Sequence, residues 1–177
     1  LIGYTNAGKS TLFNRLTGAA VLSKDMLFAT LDPTMRELVL PSGRHAILAD
    51  TVGFISQLPT ELVEAFKSTL EEVVHADLLI HVHDAASEFV SEDADDVTLV
   101  LQELGLDEAR QQQSVLHIFN KTDLLTDDDQ RVSLGKKYVG GVFASAQDGS
   151  GIADVLEAID HYLGRDAVQT ILQIRPE

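Results

Sequence analysis

Cysteine is absent from this chain of 177 residues, and so is tryptophan. The first absence excludes disulfides and thiolate metal sites, which agrees with a reducing compartment. No apolar run approaches the roughly 20 residues that a bilayer-spanning helix needs, and the first residues lack the charged, apolar and small-residue regions of a signal peptide. These absences point to a cytoplasmic chain with no membrane span. Positive charge is also scarce: 13 Lys and Arg stand against 28 Asp and Glu, for a formal net charge of -15. A field of that sign repels nucleic acid and anionic lipid, so the composition carries no direct nucleic-acid signal, and an anionic ligand must be held by local contacts. The acidity itself reads as a solvated surface rather than a dedicated docking face.

What is present suits one domain with a sizeable core, at 45% hydrophobic and 6% aromatic residues. Apolar strand-like runs alternate with helical patterns, the signature of a mostly parallel sheet covered by helices on both faces. Strands are expected at Met35 to Leu40 and His45 to Ala49, joined as a hairpin by Pro41-Ser42-Gly43-Arg44. Further strands are expected at Leu78 to His83, Val115 to Phe119 and Val142 to Ala144. Helical spacing appears at Leu62, Phe66, Leu70 and Val73, at Val97, Leu101 and Leu104, and at Ile152, Val155, Ile159 and Leu163. Acidic clusters at Glu92-Asp93, Asp95-Asp96 and Asp127-Asp128-Asp129 read as helix starts, where carboxylates complement the dipole. The expected fold is α/β: a sheet of about six strands, mostly parallel with one antiparallel edge strand, and about five helices on its two faces. Residues 1–164 form this domain, and 165–177 read as a tail that begins a further C-terminal domain.

Gly3-Tyr4-Thr5-Asn6-Ala7-Gly8-Lys9-Ser10, followed by Thr11, fits the phosphate-binding template G-x-x-x-x-G-K-[ST] at every fixed position. Such a loop presents backbone amides at a helix N-terminus to phosphate oxygens, while Lys9 adds a cation and Ser10 offers a hydroxyl to Mg²⁺. Asp50-Thr51-Val52-Gly53 follows an expected strand, the place for a D-x-x-G element whose Asp50 serves Mg²⁺ and whose Gly53 amide meets the γ-phosphate. Asn120-Lys121-Thr122-Asp123 matches N-K-x-D. A carboxylate such as Asp123 can accept both guanine donors, N1-H and the 2-amino group, whereas the N1 acceptor of adenine would face it repulsively. Asn120 is suited either to the base or to bracing the phosphate loop, and the stem of Lys121 can cover the purine face. Ser145-Ala146, with Gln147 beside it, matches the S-A element whose backbone N-H meets the guanine carbonyl. Four elements in this order, each at a strand's C-terminal end, converge on the crevice where open α/β sheets bind ligands. GTP and GDP are the implied ligands.

The connection Phe28-Ala29-Thr30-Leu31-Asp32-Pro33-Thr34 has the length and position of a switch loop that senses γ-phosphate through a Mg²⁺-binding threonine. Thr30 is the expected residue and Thr34 the alternative. Catalysis would then rest on Lys9, Thr30 and the Gly53 amide, with Ser10, Thr30 and Asp50 on the metal. Phe54 occupies the position after D-T-V-G where a water-orienting Gln is found in Ras-like enzymes, so hydrolysis by the chain alone should be slow. Asn6 reads equally as a K⁺ ligand in the phosphate loop or as a polar turn residue. His81 and His83 alternate on one strand face beside Asp84. They read as core histidines rather than a metal site, because no third ligand stands near them in sequence.

Taken together, G-Y-T-N-A-G-K-S-T-L-F-N from Gly3, F-A-T-L-D-P-T from Phe28, D-T-V-G-F-I from Asp50 and the N-K-T-D element resemble the GTPase domain of the HflX family. The resemblance covers nearly the whole chain. It implies a ribosome-associated GTPase that binds the large ribosomal subunit and splits ribosomes under stress, with ribosome contact tied to the family's N-terminal domain, which these residues do not include. Two other readings stay open: a nucleotide-gated binding module with little turnover, and the G domain of an iron-transport or tRNA-modifying GTPase.

Overall fold

The computed structural model describes residues 1–18, 34–51 and 73–165. The switch connection with Thr30, the Gly53-Phe54 segment, most of the helix expected from Leu62 and the C-terminal tail lie outside the described residues.

Two strands, β1 (Thr34–Val39) and β2 (His45–Asp50), pair antiparallel from Thr34↔Asp50 to Val39↔His45. The hairpin turn closes with Leu40 N-H donating to the Arg44 carbonyl and Gly43 N-H to the Leu40 carbonyl, both at 2.8 Å. One face is buried through Leu38 and Leu48, whereas Met35, Val39 and Ile47 are exposed, as alternation in a half-covered antiparallel pair requires. A second sheet holds β3 (Leu79–Asp84), β4 (Val115–Asn120) and β5 (Val142–Phe143), all parallel. Five consecutive residues of β3 are buried, which fits a parallel strand covered on both faces.

The expected single sheet of about six strands is thus found as sheets of two and three strands. Ahead of the phosphate loop, Ile2 forms a parallel bridge with His81. Ile2 N-H donates to the Ile80 carbonyl at 2.9 Å and the Ile2 carbonyl accepts from Val82 N-H at 2.8 Å, while the Leu1 amine reaches the Ala49 carbonyl of β2. The backbone departs from extended geometry at Gly3, with φ 146°.

Helix α1 (Lys9–Thr17) carries Leu12, Phe13 and Leu16 into a core with Ile80, Val82 and Ile118. On the other face α2 (Val90–Glu103) buries Val90, Ala94, Val97 and Leu101, an apolar stripe at helical spacing. Helix α3 (Glu108–Ser114) has no buried residue and no apolar stripe, so periodicity could not announce it; Asp107 caps it by accepting from Arg110 N-H. Helix α4 (Asp128–Lys137) begins, as the acidic cluster implies, with Asp127 as cap. Helix α5 (Ile152–Gly164) buries Val155 and Ile159 against the α1 side. Among the described residues, no helix is long and apolar enough to cross a membrane.

Candidate nucleotide-binding site

The phosphate loop turns on two glycines whose side-chain space is already taken. A Cβ on Gly3 would stand 2.3 Å from the Val82 carbonyl oxygen, and one on Gly8, at φ 91°, would stand 2.3 Å from Asn120 Nδ2. Gly8 also caps α1, with no side chain hydrogen-bonded to the cap and no acidic residue in the first turn. The helix N-terminus therefore keeps its amides and its partial positive charge for an anion. Asn6 holds a left-handed φ of 61° at the exposed crest of the loop.

Lys9 lies buried beneath that loop, donating from Nζ to the carbonyls of Gly3 at 3.1 Å and Tyr4 at 3.0 Å. Burial lowers its pKa to about 8, opposed by the nearby Asp50 carboxylate. Asp50, fully buried at the end of β2, accepts from Ser10 Oγ at 2.6 Å through Oδ2. Two hard oxygen donors from separate motifs thus meet next to the ammonium. Thr51 turns away from them, its hydroxyl donating to the Leu1 carbonyl at 2.7 Å.

Asn120 ends β4 and joins the phosphate loop to the last motif. Its Nδ2 donates to the Ala7 carbonyl at 3.0 Å and its Oδ1 accepts from Ala146 N-H at 2.9 Å. Of the two roles open to Asn120 in the sequence, bracing is the one its amide performs. Lys121 takes a left-handed φ of 65° and sends its ammonium to Asp84 at 2.7 Å, its stem lying close to Gly8. Thr122 to Leu124 form a short 3-10 turn, with Thr122 N-H on the Ala144 carbonyl at 3.3 Å. Asp123 is exposed on that turn, and among the described residues no hydrogen bond or ion pair engages its carboxylate. Ser145 and Ala146 are buried, with Ser145 Oγ accepting from Asp148 N-H at 3.2 Å, and Gln147 is exposed.

Two participants in the site, and one group behind it, were not legible as such in the sequence. Arg15, on α1, donates from Nε to the Ala146 carbonyl at 2.9 Å and from a guanidinium nitrogen to the Gln147 carbonyl, a link across 131 residues that no local motif announces. Asp84 closes the edge of the site by holding Lys121. His117 lies behind the site: it stands opposite His81 across β3 and β4, and Nε2 of His83 lies 2.9 Å from its Nδ1. His81 and His83 are core histidines as expected, but the expectation that no third ligand stands near them is corrected, because strand register supplies the neighbour that linear spacing hid.

Residues 1–121 match a family described as 50S ribosome-binding GTPase. The chain is 51% identical over 166 residues to GTPase HflX of Caldanaerobacter subterraneus subsp. tengcongensis, covering 94% of this chain and 36% of that protein. With GTPase HflX of Escherichia coli it shares 44% identity over 178 residues, 100% of this chain and 41% of the relative. The chain therefore spans about two fifths of the length of these relatives, and the likeness to HflX proteins seen in the motifs holds over the matched length. Among solved structures, a GTP-binding protein from Sulfolobus solfataricus in complex with GDP aligns at a TM-score of 0.71 and 28% identity, over 94% of this chain and 52% of that one. The G domain of the T. maritima FeoB iron transporter aligns at a TM-score of 0.64 over 92% of this chain and 95% of that one, and its 24% identity speaks to fold alone. The fold is that of P-loop GTPases.

Proposed function

Because this chain belongs to the family of 50S ribosome-binding GTPases, we propose that residues 1–164 are the G domain of an HflX-type protein that binds GTP and GDP and hydrolyses GTP. The observation that carries the reading is the Asn120 bridge, which ties the phosphate loop to the Ser145-Ala146 loop through hydrogen bonds of 3.0 and 2.9 Å. Phosphate and base would thereby be held by one rigid frame. Residues Gly3 to Thr11 cradle the phosphates, Asp123 reads the guanine donors, and the backbone around Ala146 and Gln147 meets the guanine carbonyl.

Ser10 Oγ and Asp50 Oδ2, 2.6 Å apart with no nitrogen or sulfur donor between them, suit a hard cation such as Mg²⁺. Mg²⁺ held by these two oxygens would supply positive charge against the phosphates. Lys9 holds its ammonium beneath the loop and would exchange its carbonyl partners at Gly3 and Tyr4 for phosphate oxygens. Thr30 and the Gly53 amide are assigned to the γ-phosphate by motif, with Phe28 to Asp32 forming the loop that closes over it. Phe54 cannot orient water by hydrogen bonding, so turnover is slow until a partner or ion completes the site. Asn6, exposed at the crest of the loop with φ 61°, is the proposed K⁺ ligand.

The two sheets are proposed to act as one sheet of about six strands, with the segment ending at Ile2 between β2 and β3; its hydrogen bonds to both neighbours support this. The large ribosomal subunit is the proposed partner of the longer protein, on the strength of the family description and the HflX relatives. A chain of net charge -15 gains nothing from general electrostatic attraction to RNA, so contact would be made through specific surfaces or other parts of such a protein. The second reading, a nucleotide-gated binding module, rests on Phe54. Turnover of GTP measured with and without large ribosomal subunits, each in K⁺ and in Na⁺, separates the two. Slow hydrolysis accelerated by either addition is expected, and no hydrolysis in any arm overturns the enzyme reading.

A further inference from the structure

Behind the phosphate loop, three imidazoles gather on one face of the parallel sheet. His81 and His83 are alternate residues of β3 and so point to the same side. Register places His117 of β4 opposite His81, which brings the third ring to that side as well. One ligand nitrogen from each ring lies within 4.8 Å of the other two. Bonds of about 2.0–2.1 Å to a tetrahedral ion would set ligand nitrogens about 3.3 Å apart, and the spread found here, from 2.9 Å up to 4.8 Å, brackets that value. Small ring rotations would close the set.

The rings are also chemically ready. Burial keeps them neutral: His81 and His83 are only 2% and 4% exposed, and all three titrate below the ordinary histidine value. Each neutral imidazole has one lone pair. The His83–His117 hydrogen bond occupies one of the three, and among the described residues no hydrogen bond engages the His81 ring. One lone pair and one N-H are thus spent within the cluster, and two lone pairs are left uncommitted to any hydrogen bond among the described residues and open to a cation.

Access is provided by a pocket of about 520 Å³ whose walls include His81, His83, Tyr4, Asn6, Asp93 and Asp96. Its acidic side favours entry of a cation and leaves room for water as a fourth ligand. Phe119 stacks on His83 with ring centroids 4.8 Å apart, and Tyr138 stands 4.9 Å from His117, so two aromatic rings fix the outer sides of the cluster. Nitrogen donors distinguish this site from the oxygen pair Ser10 and Asp50, and they select borderline transition ions over Mg²⁺.

We propose that His81, His83 and His117 form a binding site for a borderline divalent transition ion, with zinc as the expected occupant, pinning β3 to β4 behind the phosphate loop. The test uses the full chain, stripped with chelator and free of nucleotide and Mg²⁺, titrated with Co²⁺ and then Zn²⁺. One equivalent of cobalt should give visible d–d bands of tetrahedral intensity that zinc abolishes, and zinc should raise the thermal midpoint. In Cu²⁺-loaded wild-type chain, nitrogen superhyperfine splitting should report three imidazoles, a readout that depends on no variant. His83→Val and His117→Leu should each lose the cobalt bands while retaining GTP binding. Absence of cobalt bands in the wild type, a copper spectrum with no imidazole nitrogens, or bands unchanged in both variants would overturn the assignment.

Discussion

Asn120 Nδ2 donates to the Ala7 carbonyl at 3.0 Å, linking the end of β4 to the middle of the phosphate loop across 113 residues of sequence. The same amide accepts from Ala146 N-H, so one side chain ties the phosphate loop to the Ser145-Ala146 loop. Replacing it by aspartate removes the donor and sets a carboxylate oxygen against the Ala7 carbonyl. Asn120→Asp should lower stability by about 1–3 kcal/mol, the usual cost of leaving a buried polar group mispaired, and weaken GDP at least tenfold. Thermal unfolding and fluorescence titration of GDP check both effects. Wild-type values in the variant would mean that the bridge is incidental.

Arg15 supports the far end of that frame by donating to the carbonyls of Ala146 and Gln147. Arg15→Ala should weaken guanine nucleotides by up to about 30-fold, at about 1 kcal/mol for each of the two lost hydrogen bonds, chiefly through faster dissociation. Stopped-flow release of a fluorescent GDP measures it directly. An unchanged off-rate would remove Arg15 from the site.

The histidine cluster sets a pH dependence with a definite sign. In the folded metal-free chain, burial and mutual repulsion hold His83 at about 3, and burial holds His117 at about 4, against an ordinary 6.5. As pH falls below 6.5 the unfolded chain takes up these protons and the folded chain does not, so stability should fall from about pH 6.5 to about pH 4 through His117 and on to about pH 3 through His83. The slope is at most ~1.4 kcal/mol per pH unit for each histidine, and above about pH 7 these groups contribute none. Denaturant titrations across that range should give a shallower slope for His83→Val than for wild type. Equal slopes would show that the cluster does not titrate as its burial requires.

The parts of the fold that were legible in sequence are those where local pattern and tertiary environment agree. The hairpin was readable from alternation around Pro41 to Arg44, β3 and β4 from short apolar runs, and α4 from Asp127 ahead of its acidic first turn. Helix α3 escaped because Glu108-Ala109-Arg110-Gln111-Gln112-Gln113-Ser114 buries nothing, so no periodicity marks it. Phosphate and base motifs were legible because each packs its chemistry into a few consecutive residues at a strand end. Arg15 and His117 were not, since their roles arise from helix placement and strand register.

Recognition of guanine by Asp123 is the claim on which the rest depends. The direct measurement is the affinity of the wild-type chain and of Asp123→Asn for GTP, ATP and XTP, whose base carries a carbonyl where guanine has its 2-amino group. The wild type should prefer GTP over ATP by at least ~100-fold, because the adenine N1 acceptor would face a carboxylate, and Asp123→Asn should lose at least ~10-fold in GTP affinity while gaining for XTP. A GTP preference that survives Asp123→Asn unchanged would contradict the account.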